Sequence, residues 1–144
     1  MEMNKSVRVK KKHGALFITG GLVYILIELA WRGESHWTMF MLGGVCVLLL
    51  GLINEGIPWE MPLWLQIFIG TCMITLLEFL TGCVVNLWLG WKVWDYSNMP
   101  GNLLGQICPQ YILYWIPVSL GAILLDDWLR YCWWGGERPK YRLW

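Results

Sequence analysis

Residues 63–89 read LWLQIFIGTCMITLLEFLTGCVVNLWL, an apolar run whose one charged residue is Glu78. A bilayer-crossing helix needs about 20 such residues, so this run can cross with room to tilt. Within it, Thr71, Thr75, Glu78, Gly82 and Asn86 recur at steps of four, three, four and four. That spacing puts them on one helical face. Glu78 lies ten residues before Trp88, roughly 15 Å deep at 1.5 Å per residue. A carboxyl near the bilayer midplane is costly, so it must face the protein interior, pair, or line a wet cavity.

Three more apolar runs surround this one, at about Gly14–Trp31, Trp37–Ile53 and Tyr111–Leu125. The last is short and carries Pro117, which kinks helices; its start is open between Leu103 and Tyr111. The expected fold is an all-α polytopic membrane protein, a bundle of four transmembrane helices. Composition agrees. The chain has 144 residues, 57% hydrophobic and only 15% charged, with 12 Trp. A soluble domain of this size cannot bury that much apolar surface, and Trp favours the membrane–water interface.

Nine of the eleven basic residues flank the apolar region: Lys5, Arg8, Lys10, Lys11, Lys12, Arg130, Arg138, Lys140 and Arg142. Basic flanks face the cytoplasm, so both termini are expected there, in the inner or plasma membrane. Residues 1–13 then form a basic arm, 14–131 the membrane domain and 132–144 a basic-aromatic tail suited to anionic lipid. The first apolar run is too long for a signal peptide and is expected to be retained. A weak repeat aligns 18–33 with 68–83, matching Glu28 to Glu78.

The outer loops concentrate polar and aromatic groups. Glu28 and Arg32 are four apart and can pair; His36 follows, a titratable group near neutrality. The second loop supplies Asp95, Tyr96, Asn102 and Gln106. With Glu78 and Asn86 these are the candidate cavity or binding residues, against the plainer possibility of an interfacial belt with turns. At the inner ends, Asn54, Glu55, Asp126, Asp127 and Arg130 form a candidate polar network. Cys46, Cys72 and Cys83 sit in apolar runs and are expected as small buried hydrophobes. No cysteine or histidine spacing suggests a disulfide framework or a metal. No phosphate loop or hydrolase elbow is present, so neither nucleotide nor cofactor is expected, and the basic arm is assigned to orientation, not nucleic acid.

The strings Trp31-Arg32-Gly33, Ser35-His36-Trp37-Thr38, Asn54-Glu55, Trp94-Asp95-Tyr96-Ser97, Asn102 with Gly105-Gln106-Ile107-Cys108, and Asp126-Asp127 with Arg130 resemble the bacterial CmpB-like family called "putative ABC-transporter type IV". Animal transmembrane protein 229 relatives look similar. The resemblance covers roughly residues 14–131 and implies a multi-span membrane protein, without assigning any catalytic residue. The expected function is handling of a small molecule or ion through a polar cavity open to the outside, as a transport component. Two alternatives stand beside it: a membrane enzyme acting on a lipid-like substrate, and a non-catalytic assembly protein. The partners expected are the bilayer, a small-molecule or lipid ligand, and further copies of the chain.

Overall fold

The computed structural model describes residues 2–56 and 61–144, with side chains from Lys10 onward apart from Asn54. Glu60 therefore lies outside the described residues, as does the Asn54 side chain. Four helices follow in order: α1 (Glu2–Arg32), α2 (Trp37–Gly56), α3 (Leu63–Gly82) and α4 (Pro109–Trp134). The basic segment at the start is thus continuous with α1. At its far end α3 runs on as a π-helical segment, Cys83–Trp88. The fourth element, left open at its start by the sequence, begins at Pro109 and keeps Pro117 inside it. Among the described residues no strand forms; Leu103 and Ile107 make one isolated bridge.

Among the described residues, three segments have the length and apolar character of a membrane span: Lys10–Arg32, Leu63–Trp88 and Pro109–Trp134, of 23, 26 and 26 residues. The chain is an integral, multi-pass, all-α membrane protein. The expected set of four is corrected to three by this measure. Among the described residues α2 supplies a shorter apolar helix, Trp37–Ile53. Large apolar side chains stand exposed along the helices, among them Leu22, Leu26, Phe68, Leu76, Leu80 and Leu113. Water would not tolerate so much contiguous apolar surface; lipid tails do.

Two compact units divide the chain, Met1–Pro58 with Ala122–Lys140, and Trp59–Gly121 with Tyr141–Trp144. In the first, α1 and α2 pack antiparallel through small residues. A Cβ on Gly20 would lie 2.6 Å from Val47 and 2.7 Å from the carbonyl oxygen of Gly43. The backbones therefore approach as closely as hydrogen-only side chains permit, the packing mode that lipid-embedded helices favour. Leu16, Val47 and Leu129 form the core of this unit, with Ala122, Leu125 and Trp134 against it. In the second unit, Pro62 leads into α3 without a side-chain cap. The orphan N–H of Leu63 is met instead by the carbonyl of Arg142 in the C-terminal tail, at 2.7 Å.

The cysteines depart from expectation in part. Cys46 is buried, but Cys72 is exposed and Cys83 intermediate. An apolar residue in a membrane helix can face lipid as readily as protein, so an apolar run does not foretell burial in the core.

Candidate functional site

The polar face of α3 turns inward within the second unit. Thr71, Glu78, Gly82 and Asn86 are buried, and Thr75 is partly so. Glu78 is 2% exposed. Its Oε1 accepts from the Tyr96 hydroxyl at 3.1 Å, and its Oε2 accepts from Trp115 Nε1–H at 2.7 Å. One donor comes from the loop after α3 and the other from α4, so the carboxyl fastens both to α3. Two turns away along α3, Thr71 Oγ1 donates to Ser119 Oγ at 3.3 Å, tying α3 to α4 again. Each interhelical hydrogen bond of this kind contributes about 0.6 kcal/mol in a membrane, up to roughly 1.7.

Residues 91–108 fold back as a plug against the π-helical end of α3. Asn86 Nδ2 donates to Gln106 Oε1 at 2.8 Å, while Asn86 Oδ1 accepts the backbone N–H of Val93 at 2.7 Å. Trp94 Nε1 donates to the carbonyl of Gln106 at 3.0 Å. Gly82 makes room for this: a Cβ there would meet Gln106 Oε1 at 2.5 Å. π-helical segments recur at functional sites, and this one carries Asn86, bonded to Gln106 and to Val93 N–H. Asn102 braces the loop by donating to the carbonyls of Ser97 and Met99 and accepting from Gly105 N–H. Gly105 needs to be glycine, since its φ is +69° and a Cβ would lie 2.5 Å from Ser97 Oγ. Lys92 and Leu104 also hold positive φ, 51° and 53°, conformations that cost non-glycine residues free energy and persist only when surroundings enforce them. Tyr96 stacks on Tyr111 of α4 with centroids 4.4 Å apart, which fixes its hydroxyl over Glu78.

Asp95 is exposed and faces its own turn. Its Oδ1 accepts from the hydroxyl and the backbone N–H of Ser97, and the hydroxyl bond holds its carboxyl below the usual aspartate range, with the N–H adding to it. Among the candidates, Glu78 pairs with Tyr96 and Asn86 with Gln106, while Asn102 braces the loop that supplies Tyr96 and Gln106 and Asp95 lies on that loop.

Glu28, Arg32 and His36 belong to the first unit. Glu28 Oε1 accepts from Arg32 Nη1 at 3.3 Å, as the spacing implied, and its Oε2 accepts from Ser35 Oγ at 2.8 Å. His36 Nδ1 pairs with Thr38 Oγ1 at 2.8 Å at the start of α2. In the same unit, Glu55 receives both Lys12 and Arg130. Arg130 also donates from Nε to Asp126 Oδ2 at 2.6 Å and from Nη2 to the Gly51 carbonyl at 2.8 Å. The Lys12 hydrogen bond is the main influence keeping the Glu55 carboxyl below its ordinary value, against partial burial and helped by Arg130. Asp126 and Asp127 are both buried. This network brings the beginning of the α1 span, the end of α2 and the end of α4 together.

The large concavity of the second unit is an apolar groove of about 800 Å³, whose walls include Trp64, Phe68, Thr71, Thr75, Phe79 and Ile112. Thr75 Oγ1 is buried there without a hydrogen-bond partner among the described residues. The polar stripe itself is filled by Tyr96, Gln106 and Trp115. No group of three metal-binding side chains occurs among the described residues. Trp115 and Ser119 escaped the sequence criteria. A Trp six residues inside α4 is away from the interface and needs a partner for its N–H, which is the signal that could have found it.

These features define a multi-pass α-helical membrane protein with a hydrogen-bonded carboxyl inside its helices and a structured loop against it. A family described as "Putative ABC-transporter type IV" matches residues 16–126. The chain belongs to that family, over most of its length. No curated protein and no solved structure matches it.

Proposed function

We propose that the chain is a transport component that passes a small molecule or ion, with Glu78 as its proton-exchanging group. The observation that carries this is the bonding of Glu78, 2% exposed, between Tyr96 and Trp115. An indole N–H only donates, so Oε2 stays an acceptor in every state; a phenol O–H can donate or accept. Oε1 can therefore gain a proton and donate it to Tyr96 without breaking the cluster. Such a group serves binding coupled to protonation. The 91–108 plug occupies the place of the polar cavity, which opens to the outside when the plug lifts.

Four crossings, with both termini cytoplasmic, are supported by Glu55 receiving both Lys12 and Arg130, since the start of the α1 span and the end of α4 then share one face. A crossing by α2 needs local thinning of the bilayer, a modest cost. Further copies of the chain would supply the width a pathway needs. Kinship with transmembrane protein 229 rests on the loop motifs alone.

The test is reconstitution into liposomes loaded with a pH-sensitive dye, under an imposed proton gradient. Wild type should acidify the lumen faster than empty liposomes, and Glu78→Gln should not. Equal rates for the two proteins, or no flux from wild type, would sink the proposal.

The apolar groove favours a second reading, a lipid-like substrate. One chain would lie along Phe68 and Ile112, with its polar head at the unpaired Thr75 hydroxyl. Turnover of such a substrate that stops in Glu78→Gln would select the enzyme. Stability loss with neither flux nor turnover would select the assembly protein.

A further inference from the structure

The end of the first unit where the α1 span begins carries a second charged feature. Lys12 and Arg130 are spent on Glu55 and Asp126. Lys10 and Lys11, within the preceding turn of α1, are exposed, as are Arg138 and Lys140 beyond α4. No carboxylate pairs with these four among the described residues. The tail turns at this end, because Gly136 N–H donates back to the carbonyl of Arg130 at 3.0 Å and Gly135 takes a φ of +65°. That turn keeps the tail's cations beside the membrane end of α4 instead of continuing the helix away from it. Trp128 and Trp133, in the last turns of α4, are 59% and 63% exposed.

We infer that this surface binds the phosphodiester headgroups of anionic phospholipids. Exposed indoles at the end of an apolar span sit at headgroup depth, where the ring meets acyl chains and the N–H meets phosphate. Cations placed at that depth gain about five-fold in membrane affinity each, the equivalent of roughly 1 kcal/mol. The indoles and the adjoining span favour a bilayer over a nucleic acid, which would use the cations but leave the apolar helix uncovered.

The test is native mass spectrometry of the full chain in detergent, titrated with short-chain phosphatidylglycerol and phosphatidylcholine. Wild type should retain phosphatidylglycerol at least about ten-fold better, and 0.5 M salt should erase most of that preference. The substitutions K10Q, K11Q, R138Q and K140Q together should remove it. Lys10→Arg with Lys11→Arg, which keeps the charge, should preserve it and serves as the folding control. Equal retention of the two lipids by wild type, an unchanged preference in the quadruple variant, or tighter binding of a single-stranded oligonucleotide than of phosphatidylglycerol would overturn the inference.

Discussion

Trp115 donates its indole N–H to Oε2 of Glu78 at 2.7 Å, both groups buried. Because that donor has no acceptor capacity, a Gln at position 78 can keep the bond by presenting its amide oxygen to Trp115 and its NH₂ to Tyr96. Glu78→Gln should therefore stay folded, within about 1 kcal/mol of wild type. Trp115→Phe leaves Oε2 buried without this donor and should cost about 1–3 kcal/mol. Thermal unfolding in detergent checks both; the reverse order would show that Trp115 does not secure Glu78.

Tyr96→Phe removes the hydroxyl on Oε1 but keeps the stack on Tyr111. Proton flux should fall by at least ten-fold with little change in unfolding temperature. Tyr96→Ala loses the stack as well, a further 0.5–1.5 kcal/mol or so. Flux through Tyr96→Phe at the wild-type rate would remove Tyr96 from the pathway.

Gly105→Ala forces a Cβ into Ser97 and Asp95 at a φ of +69°. The expected cost is about 1–3 kcal/mol, felt as faster proteolysis within 91–108. Gly101→Ala carries the same positive φ, +70°, but its Cβ meets only Pro109, at 3.1 Å, and should be milder. Protease mapping by mass distinguishes the two.

Glu55 has a depressed carboxyl. Its contribution is present in full above its ordinary value of 4.5 and is lost as pH falls through the lower folded value. Stability should thus be flat on this account from neutral pH to about 4.5 and drop below it, by no more than about 1 kcal/mol for so exposed a pair. Unfolding scans of Glu55→Gln should show a shallower acid limb. An acid limb identical to wild type would mean that Glu55 contributes nothing.

If the Lys12–Glu55–Arg130 network marks one membrane face, reporters fused at the two ends should lie on the same side. Opposite accessibility to an impermeant thiol reagent in intact cells would favour three crossings and leave α2 unable to span.

The one-face polar stripe of α3 was legible because helical periodicity is local, and so was the Glu28–Arg32 pair, four residues apart. The same local logic read α2 as a fourth span, while among the described residues three helices have the length and apolar character of one. The partners of Glu78 were beyond reach, since Tyr96 and Trp115 lie 18 and 37 positions away. Nothing in spacing brings them back to one carboxyl. What the sequence determined by itself was solvent and secondary structure, because twenty apolar residues in succession leave the backbone no option in lipid but a helix. What only the tertiary structure decided was that residues 91–108 pack inward and that Tyr96 and Trp115 both donate to Glu78. Helices in lipid lack the hydrophobic force that would announce their contacts in the sequence, so shape fit and individual hydrogen bonds choose the partners.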